Sequence, residues 1–239
     1  MVGQLPEVQF RRAQWACFLR SLMVFDNALW VNSPVSTYRA EHKAVQLQAA
    51  VSVGFNVPDT LISNAKESAQ VLAESSGMVA IKGVDTVLVR DQDTEIFGYT
   101  NLVERERLSG HEFRSAPAIL QHAFVNKLDL RVTVLGEGVW GAAITSQGRP
   151  IGGDWRLAKT DADFVAFSLP RDISDQCVAV TRQLGLKFGA IDLVHSEGKF
   201  YFLEINPTGE WAWLQARLDF PISSAIATLL SQTEGASTL

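Results

Sequence analysis

The segment FGAIDLVHSEGKFYFLEINPTG, residues 188–209, constrains this chain more than any other. Two apolar runs flank a Glu-Gly dipeptide, a turn signal between strands. Each run carries one carboxylate amid its apolar residues, Asp192 in the first and Glu204, twelve residues later, in the second. Asp is depleted from strands and costly to bury unpaired. If the runs form a hairpin, Asp192 and Glu204 face each other across the ladder, where two carboxylates repel unless a cation lies between them. Asn206 follows Glu204 at i+2, on the same face of a strand, and Pro-Thr-Gly ends the run. Three oxygen-bearing side chains at one strand end suit Mg²⁺, which takes one or two carboxylates and leaves room for phosphate oxygens. The alternative is three separately solvated polar residues closed by an Asn-Pro turn.

A magnesium site of this kind directs attention to cations that hold phosphate. Lys82 stands inside the apolar run MVAIKGV, either as a snorkelling edge residue or as a deliberate charge. Lys43 lies in YRAEHKAVQLQAA, where a solvated helix face is the stronger reading. Arg131 in DLRVTV and Arg156 in GGDWRLAK offer guanidinium forks that match phosphate and acyl-phosphate oxygens. Two lysines, two arginines and a carboxylate–amide metal set together suggest nucleotide phosphoryl chemistry.

The rest of the chain supplies an α+β frame. Helices are expected over 8–25, 38–53 and AKESAQVLAES, over RDISDQCVAVTRQLGL, and over PISSAIATLLSQ at the end. Strands are expected at VPDTLIS, MVAIKGV, DTVLVRD, EIFGYTNLV, AILQHAFV, DLRVTVLGEG and VWGAAITSQ, with ERERLSGHEFRS as a solvated surface segment. The order is two helix-plus-sheet lobes in sequence. GEGVWG fits G-x-G-x-x-G but lies between two β-like runs, so it reads as a hairpin turn rather than a dinucleotide fingerprint. His42, His111, His122 and His195 show no metal-ligand spacing, and the Trp211–Trp213 pair reads as packing, with a substrate-facing ring as the alternative. There is no Walker A motif and no G-x-S-x-G. A net charge of −5 argues against generic nucleic-acid binding. No apolar run reaches membrane-spanning length and the N-terminus shows no secretory signal, which predicts a cytoplasmic protein that does not engage membranes. Cys17 and Cys177 are accordingly expected as reduced, buried thiols.

Taken in order, these motifs resemble those of the ATP-grasp ligases over residues 36–233. AEHKAVQLQAAVSVGFNVPDT resembles the family's first-lysine helix, IKG its second-lysine strand, ILQHAFVNKLDLRVTVLG its interlobe hinge and D-x-R strand, and FGAIDL with FLEINP its metal motif. Within that superfamily WVNSPVSTYRAEHKAVQL, IFGYTNLV, ITSQ with DWR, and LEINPTGEWAWLQ with PISSAIA resemble the microviridin-type maturases of ribosomal peptides, the graspetide cyclases. The chain departs from the pattern in two ways. Family members carry an N-terminal α/β domain where only residues 1–36 stand here, and no glycine-rich phosphate-covering loop follows Lys82.

The resemblance implies an ATP-grasp fold with a remnant and connector over 1–36, an N-lobe over 37–117 and a C-lobe over 118–239, the N-terminal domain being largely missing. It implies ATP in a cleft between the lobes, with adenine on the Gln121–Val125 hinge, including His122 and Phe124, and Asp129 near the ribose. Lys43 and Lys82 would bind phosphates, Asp192, Glu204 and Asn206 would hold Mg²⁺, and Arg131 and Arg156 would act on the phosphoryl group. The implied substrate is a ribosomal precursor peptide with an acidic core, whose Asp or Glu is activated as an acyl phosphate and attacked by a Thr, Ser or Lys side chain. A homodimer is the default assembly. A ligase of amino acids or short peptides, and a non-catalytic nucleotide-binding remnant, remain the alternatives.

Overall fold

The computed structural model describes residues 6–65, 67, 68, 72, 77–85, 88–91, 94–104, 107, 115–158 and 160–231. The chain divides into two compact units, residues 1–30 with 86–98, and residues 31–85 with 99–239. The smaller unit holds helix α1 (Pro6–Ser21), a single 3₁₀ turn (Leu22–Val24) and a hairpin of β3 (Leu88–Asp91) with β4 (Thr94–Phe97). No residue of α1 is buried, and Cys17 on it is exposed, which corrects the expectation of a buried thiol. Cys177 is buried as expected.

The larger unit contains two antiparallel sheets. The first has the order β1–β6–β2–β5, from β1 (Thr60–Ser63), β2 (Met78–Gly83), β5 (Asn101–Glu104) and β6 (Ala118–His122). The second has the order β10–β8–β7–β11–β12, with the two-residue β9 (Arg149–Pro150) added to β8. Its strands are β7 (Leu128–Leu135), β8 (Gly138–Ser146), β10 (Asp163–Phe167), β11 (Phe188–Ser196) and β12 (Lys199–Asn206). The β11–β12 hairpin forms as the sequence predicts. Glu197 and Gly198 take φ of 50° and 74°, as a primed two-residue turn requires. Asp192 pairs directly with Glu204, with a register shift immediately after Asp192. GEGVWG is likewise a hairpin turn, closing β7 on β8 at the Leu135–Gly138 pair.

One face of the second sheet carries the main core. Leu130, Val132, Ile191, Leu193, Phe202 and Ile205 pack there against Ala49, Ala50 and Phe55 and against helix α4 (Arg171–Gln183). Fully burying a side chain of the size of Phe202 contributes about 1.5–3 kcal/mol. Leu135, Phe188 and Ala190 meet Val31, Trp211 and the last helix, α6 (Ile222–Ser231). The first sheet has a smaller core of Val79 and Leu120 with Leu72 and Ile81.

Several elements differ from expectation. The helix expected over 38–53 is two helices, α2 (Pro34–Ala40) and α3 (Lys43–Ser52), broken at Glu41–His42. Helix α2 starts earlier because Ser33 caps it, accepting the Ser36 N–H, with Pro34 in its first turn. EIFGYTNLV is two strands, β4 and β5, interrupted at 98–100. Strand β10, the 3₁₀ turn Trp155–Ala158 and helix α5 (Ala212–Leu218) were not expected. The packing also crosses the expected lobe border at 117/118. Helix α3 joins the core of the second sheet, while β6, past the border, is a central strand of the first. AKESAQVLAES and ERERLSGHEFRS fall largely outside the described residues. Among the described residues no helix is long and apolar enough to cross a membrane.

Candidate active site

Three strands of the second sheet align charges in one row. Arg131 on β7 pairs with Asp192 on β11, and Asp192 pairs with Glu204 on β12. Period-2 alternation puts them on one face of the sheet because opposed residues share a face. Arg131 donates from Nη1 to Asp192 Oδ1 at 2.9 Å. Lys43 Nζ lies 2.9 Å from Glu204 Oε2, and the two side chains are each 14% exposed. Arg156 Nη1 approaches Glu204 Oε1 at 3.9 Å. The opposed carboxylates therefore each hold a cation of their own.

Lys43 corrects the sequence reading: it is no solvated helix residue. Gln46, one turn along α3, is buried and fixes the helix over the end of β12. Its Nε2 donates to the carbonyls of Ala40 and Ile205, and its Oε1 accepts the Ile205 N–H at 3.0 Å. Ile205 follows Glu204, so the clamp sets Lys43 over that carboxylate. Asn32 does similar work on the other side. Its Nδ2 donates to the Phe188 and Pro207 carbonyls and its Oδ1 accepts the N–H groups of Lys187 and Phe188, at 2.7–2.9 Å. Gly209 in the Pro-Thr-Gly turn is required by space: a Cβ there would lie 2.5 Å from Ala190 Cβ and 2.8 Å from an Arg131 terminal nitrogen.

The row opens on a cleft lined by residues of both sheets. Lys82, Gln121, His122, Phe124, Asp129, Arg156, Asp192 and Glu204 line it. Lys43 and Arg131 reach it through the lining carboxylates that they bind. Asn206 and Val125 are exposed and do not line it. Gln121 is held by a bond from its Nε2 to Thr60 Oγ1 at 2.9 Å, and the Phe124 ring lies 5.2 Å from that of His122 and 4.7 Å from that of Tyr201.

Electrostatics separate the charged groups. Burial pushes the Glu204 carboxyl up, but Lys43, Lys82 and Arg156 outweigh it and hold the group well below the usual carboxylate range. Burial lowers Lys82 from 10.5; Glu204 opposes that shift and Lys43 adds to it. Asp129 moves the other way, to about 6, because burial outweighs the contact with Lys127 while Asp192 and Asp154 add repulsion. Burial lowers Arg156, but Asp154 and Glu204 raise it further, so its charge is secure. Of the five cations at the cleft, Lys43, Lys127, Arg131 and Arg156 each hold a carboxylate; Lys82 has none within 4.0 Å among the described residues. A half-buried ammonium with no carboxylate partner among the described residues is suited to a phosphate oxygen.

The donor set fits a hard cation. Asp192 and Glu204 are in register and Asn206, two residues on, supplies an amide oxygen; such oxygens with phosphate suit Mg²⁺. Among the described residues no group of three His, Cys, Asp or Glu is placed to hold a metal, and Asn206 is exposed, outside the lining of the cleft. Sequence reasoning missed Asp154, Lys127, Gln46 and Asn32. Asp154 was legible only as a polar residue next to Arg156, and the others look like ordinary surface residues.

No protein-family model matches the chain, and no curated protein does. Among solved structures, it is similar to an ATP-grasp ligase of Chryseobacterium gregarium associated with ribosomally made, modified peptides and solved with ADP and a leader and core peptide. The TM-score is 0.80 and the identity 28%, over 93% of this chain and 69% of that one. It is similar also to the macrocyclase MdnC of Microcystis aeruginosa bound to its precursor peptide MdnA, with a TM-score of 0.78 and 28% identity over 97% of this chain and 74% of that one. The D-alanine–D-alanine ligase of Bacillus anthracis, solved with ATP, shares the fold at a TM-score of 0.57 and 14% identity, over 82% of this chain and 64% of that one.

Proposed function

We propose that this chain, which has the fold of the ATP-grasp ligases, is an ATP- and Mg²⁺-dependent peptide macrocyclase. It activates an Asp or Glu side chain of a precursor peptide as an acyl phosphate and joins it to a Thr or Ser hydroxyl or a Lys amine. The observation that carries this reading is the row Arg131–Asp192–Glu204 with Lys43, Lys82 and Arg156 around it, on a cleft between two sheets. The likeness to two peptide-modifying ligases supports the substrate class.

In this reading Lys82, with no carboxylate within 4.0 Å among the described residues, takes a phosphate oxygen, and Lys43 adds positive charge beside it. Gln121, His122 and Phe124, which line the cleft, would form the adenine edge, with Asp129 farther in, and Val125 would contribute from outside the lining. Asp192, Glu204 and Asn206 would hold Mg²⁺, which would supply positive charge against the phosphates. Arg131 and Arg156 steady the transferred phosphoryl group and then the acyl phosphate. The chemistry is transfer of the γ-phosphoryl group to a carboxylate, followed by attack of the hydroxyl or amine with loss of phosphate. Such catalysis is positioning and charge stabilisation, with no enzyme nucleophile. The peptide partner has an acidic core, the chain works in the cytoplasm, and its assembly is a homodimer, which light scattering can check.

The test traps the acyl phosphate. Wild type is incubated with MgATP, hydroxylamine and a synthetic peptide containing Asp, Glu, Thr, Ser and Lys. Peptide hydroxamate with matching ADP release is expected, and Glu204→Gln should lower it by about 10²-fold or more. Hydroxamates of free amino acids instead of the peptide would favour the small-substrate ligase. Equal rates in wild type and Glu204→Gln would sink the metal assignment.

A further inference from the structure

Asp154 is the most fully engaged carboxylate of the cleft, with its side chain 2% exposed. It precedes the 3₁₀ turn Trp155–Ala158, in the loop between β9 and β10. Oδ1 accepts the Arg156 backbone N–H at 3.0 Å and the Arg156 Nε–H at 2.9 Å. Oδ2 accepts the backbone N–H of Thr100 at 3.0 Å. Thr100 leads into β5 at the edge of the first sheet, whereas Asp154 belongs to a loop of the second. One carboxylate therefore reaches across the cleft and also grips the guanidinium that faces Glu204.

The grip has a direction. The Nε–H bond holds one edge of the guanidinium and leaves its terminal nitrogens for other partners, with Nη1 3.9 Å from Glu204 Oε1. The Arg156 side chain remains 39% exposed, so packing alone does not hold it, and the Asp154 bond sets its plane. We propose that Asp154 is a positioning residue: it aims Arg156 into the cleft and makes that aim depend on the two sheets lying close enough for Thr100 to bond. An aspartate is needed because three donors converge on two acceptor oxygens. Asparagine offers one oxygen and two donors of its own, so Asp154→Asn must give up either the Thr100 arm or the Arg156 arm.

The catalytic consequence rests on the ligase reading above; the geometry does not. The experiment therefore uses the full chain as wild type, Asp154→Asn, Arg156→Lys and the double variant, with one structural and one kinetic readout. By NMR, wild type should show an exchange-protected Arg156 Nε–H resonance that is absent in Arg156→Lys and lost in Asp154→Asn, or else Thr100 amide exchange at least tenfold faster in Asp154→Asn. In the hydroxylamine assay each single variant should lose about 10²-fold, and the double variant should be no slower than Arg156→Lys alone. Absence of a protected Arg156 Nε–H in wild type overturns the positioning role whether or not Asp154→Asn folds. Asp154→Asn that keeps both NMR signals, or losses that multiply in the double variant, overturn it too. Wild type that shows the NMR signals, loses one in Asp154→Asn, and makes no hydroxamate from any carboxylate overturns the ligase reading and leaves the positioning role standing.

Discussion

Two carboxylates of the same cleft, Asp129 at the start of β7 and Glu204 near the end of β12, are displaced in opposite directions. Both lie out of solvent, with side-chain exposures of 8% and 14%. Asp129 has one cation, Lys127, and two carboxylates that repel it, and it rises to about 6. Glu204 has Lys43, Lys82 and Arg156, and it falls well below the usual range. Burial alone pushes both up. The difference shows that the count and sign of neighbours decide which carboxylate stays charged, and the β12 end of the cleft is where the cations converge. The same convergence makes the β12 end the more positive one and leaves the β7 end able to carry a proton near neutral pH.

The comparison breaks first at Lys43. Lys43→Met leaves Glu204 with two more distant cations, and denaturant unfolding at pH 7 should show a loss of about 3 kcal/mol, since removing one partner of a buried pair leaves a charge uncompensated. Glu204 lies below its ordinary 4.5, so its contribution is complete above that pH and is lost as pH falls through and below it; the variant should flatten this acid limb. An unchanged acid limb would mean that Lys43 does not hold Glu204 down.

Asp129 has the opposite sign. Its folded value lies above its ordinary 3.8, so its stabilising contribution is present below that value and disappears as pH rises through about 6. The stability of Asp129→Asn relative to wild type should therefore increase between pH 4 and 7, by about 2 kcal/mol. A flat difference across that window would show that Asp129 is not raised. Lys127→Met sharpens the point, because loss of that adjacent cation should raise Asp129 further, by about one unit or 1.4 kcal/mol, read from the Asp129 carboxyl carbon by NMR. The smallest effect is the control. Arg171 and Asp175 form an i,i+4 pair on α4 at 3.9 Å with side chains 96% and 74% exposed. Arg171→Ala should cost less than about 0.5 kcal/mol, and a larger loss would mean that exposure is a poor guide to charge energetics in this chain.

The parts of the site that lie on strands were legible in the sequence. Asp192, Glu204, Arg131 and Lys82 each interrupt an apolar run, and period-2 spacing with a Glu-Gly turn puts Asp192 and Glu204 on one face. The helix-borne and loop-borne parts were not. Lys43 reads as solvated because the residue that fixes it, Gln46, is a polar residue in a mixed helix whose bonds run to a strand 159 residues away. The break between α2 and α3 has no Gly or Pro at Glu41–His42 to announce it. Asp154 lies in GGDWRLAK, which has no period at all, and its third partner is a backbone N–H in another sheet. Strand β10 escaped because it is an edge strand whose residues are mostly exposed or half-buried, so ADFVAF shows no clean alternation.

The Gln46 clamp also sets an order of events during synthesis. Its partner Ile205 lies 159 residues downstream, so at about 5–20 residues per second a ribosome needs on the order of 8–30 s to make the strand that α3 packs against. Over that interval Ala49 and Ala50, which are buried in the finished core, have no β12 to cover them. The lysine of this site is thus among the first of its residues to be made and among the last to find its partner, and a nascent chain arrested before β12 exposes the apolar face of α3 to whatever chaperone or neighbouring chain meets it first.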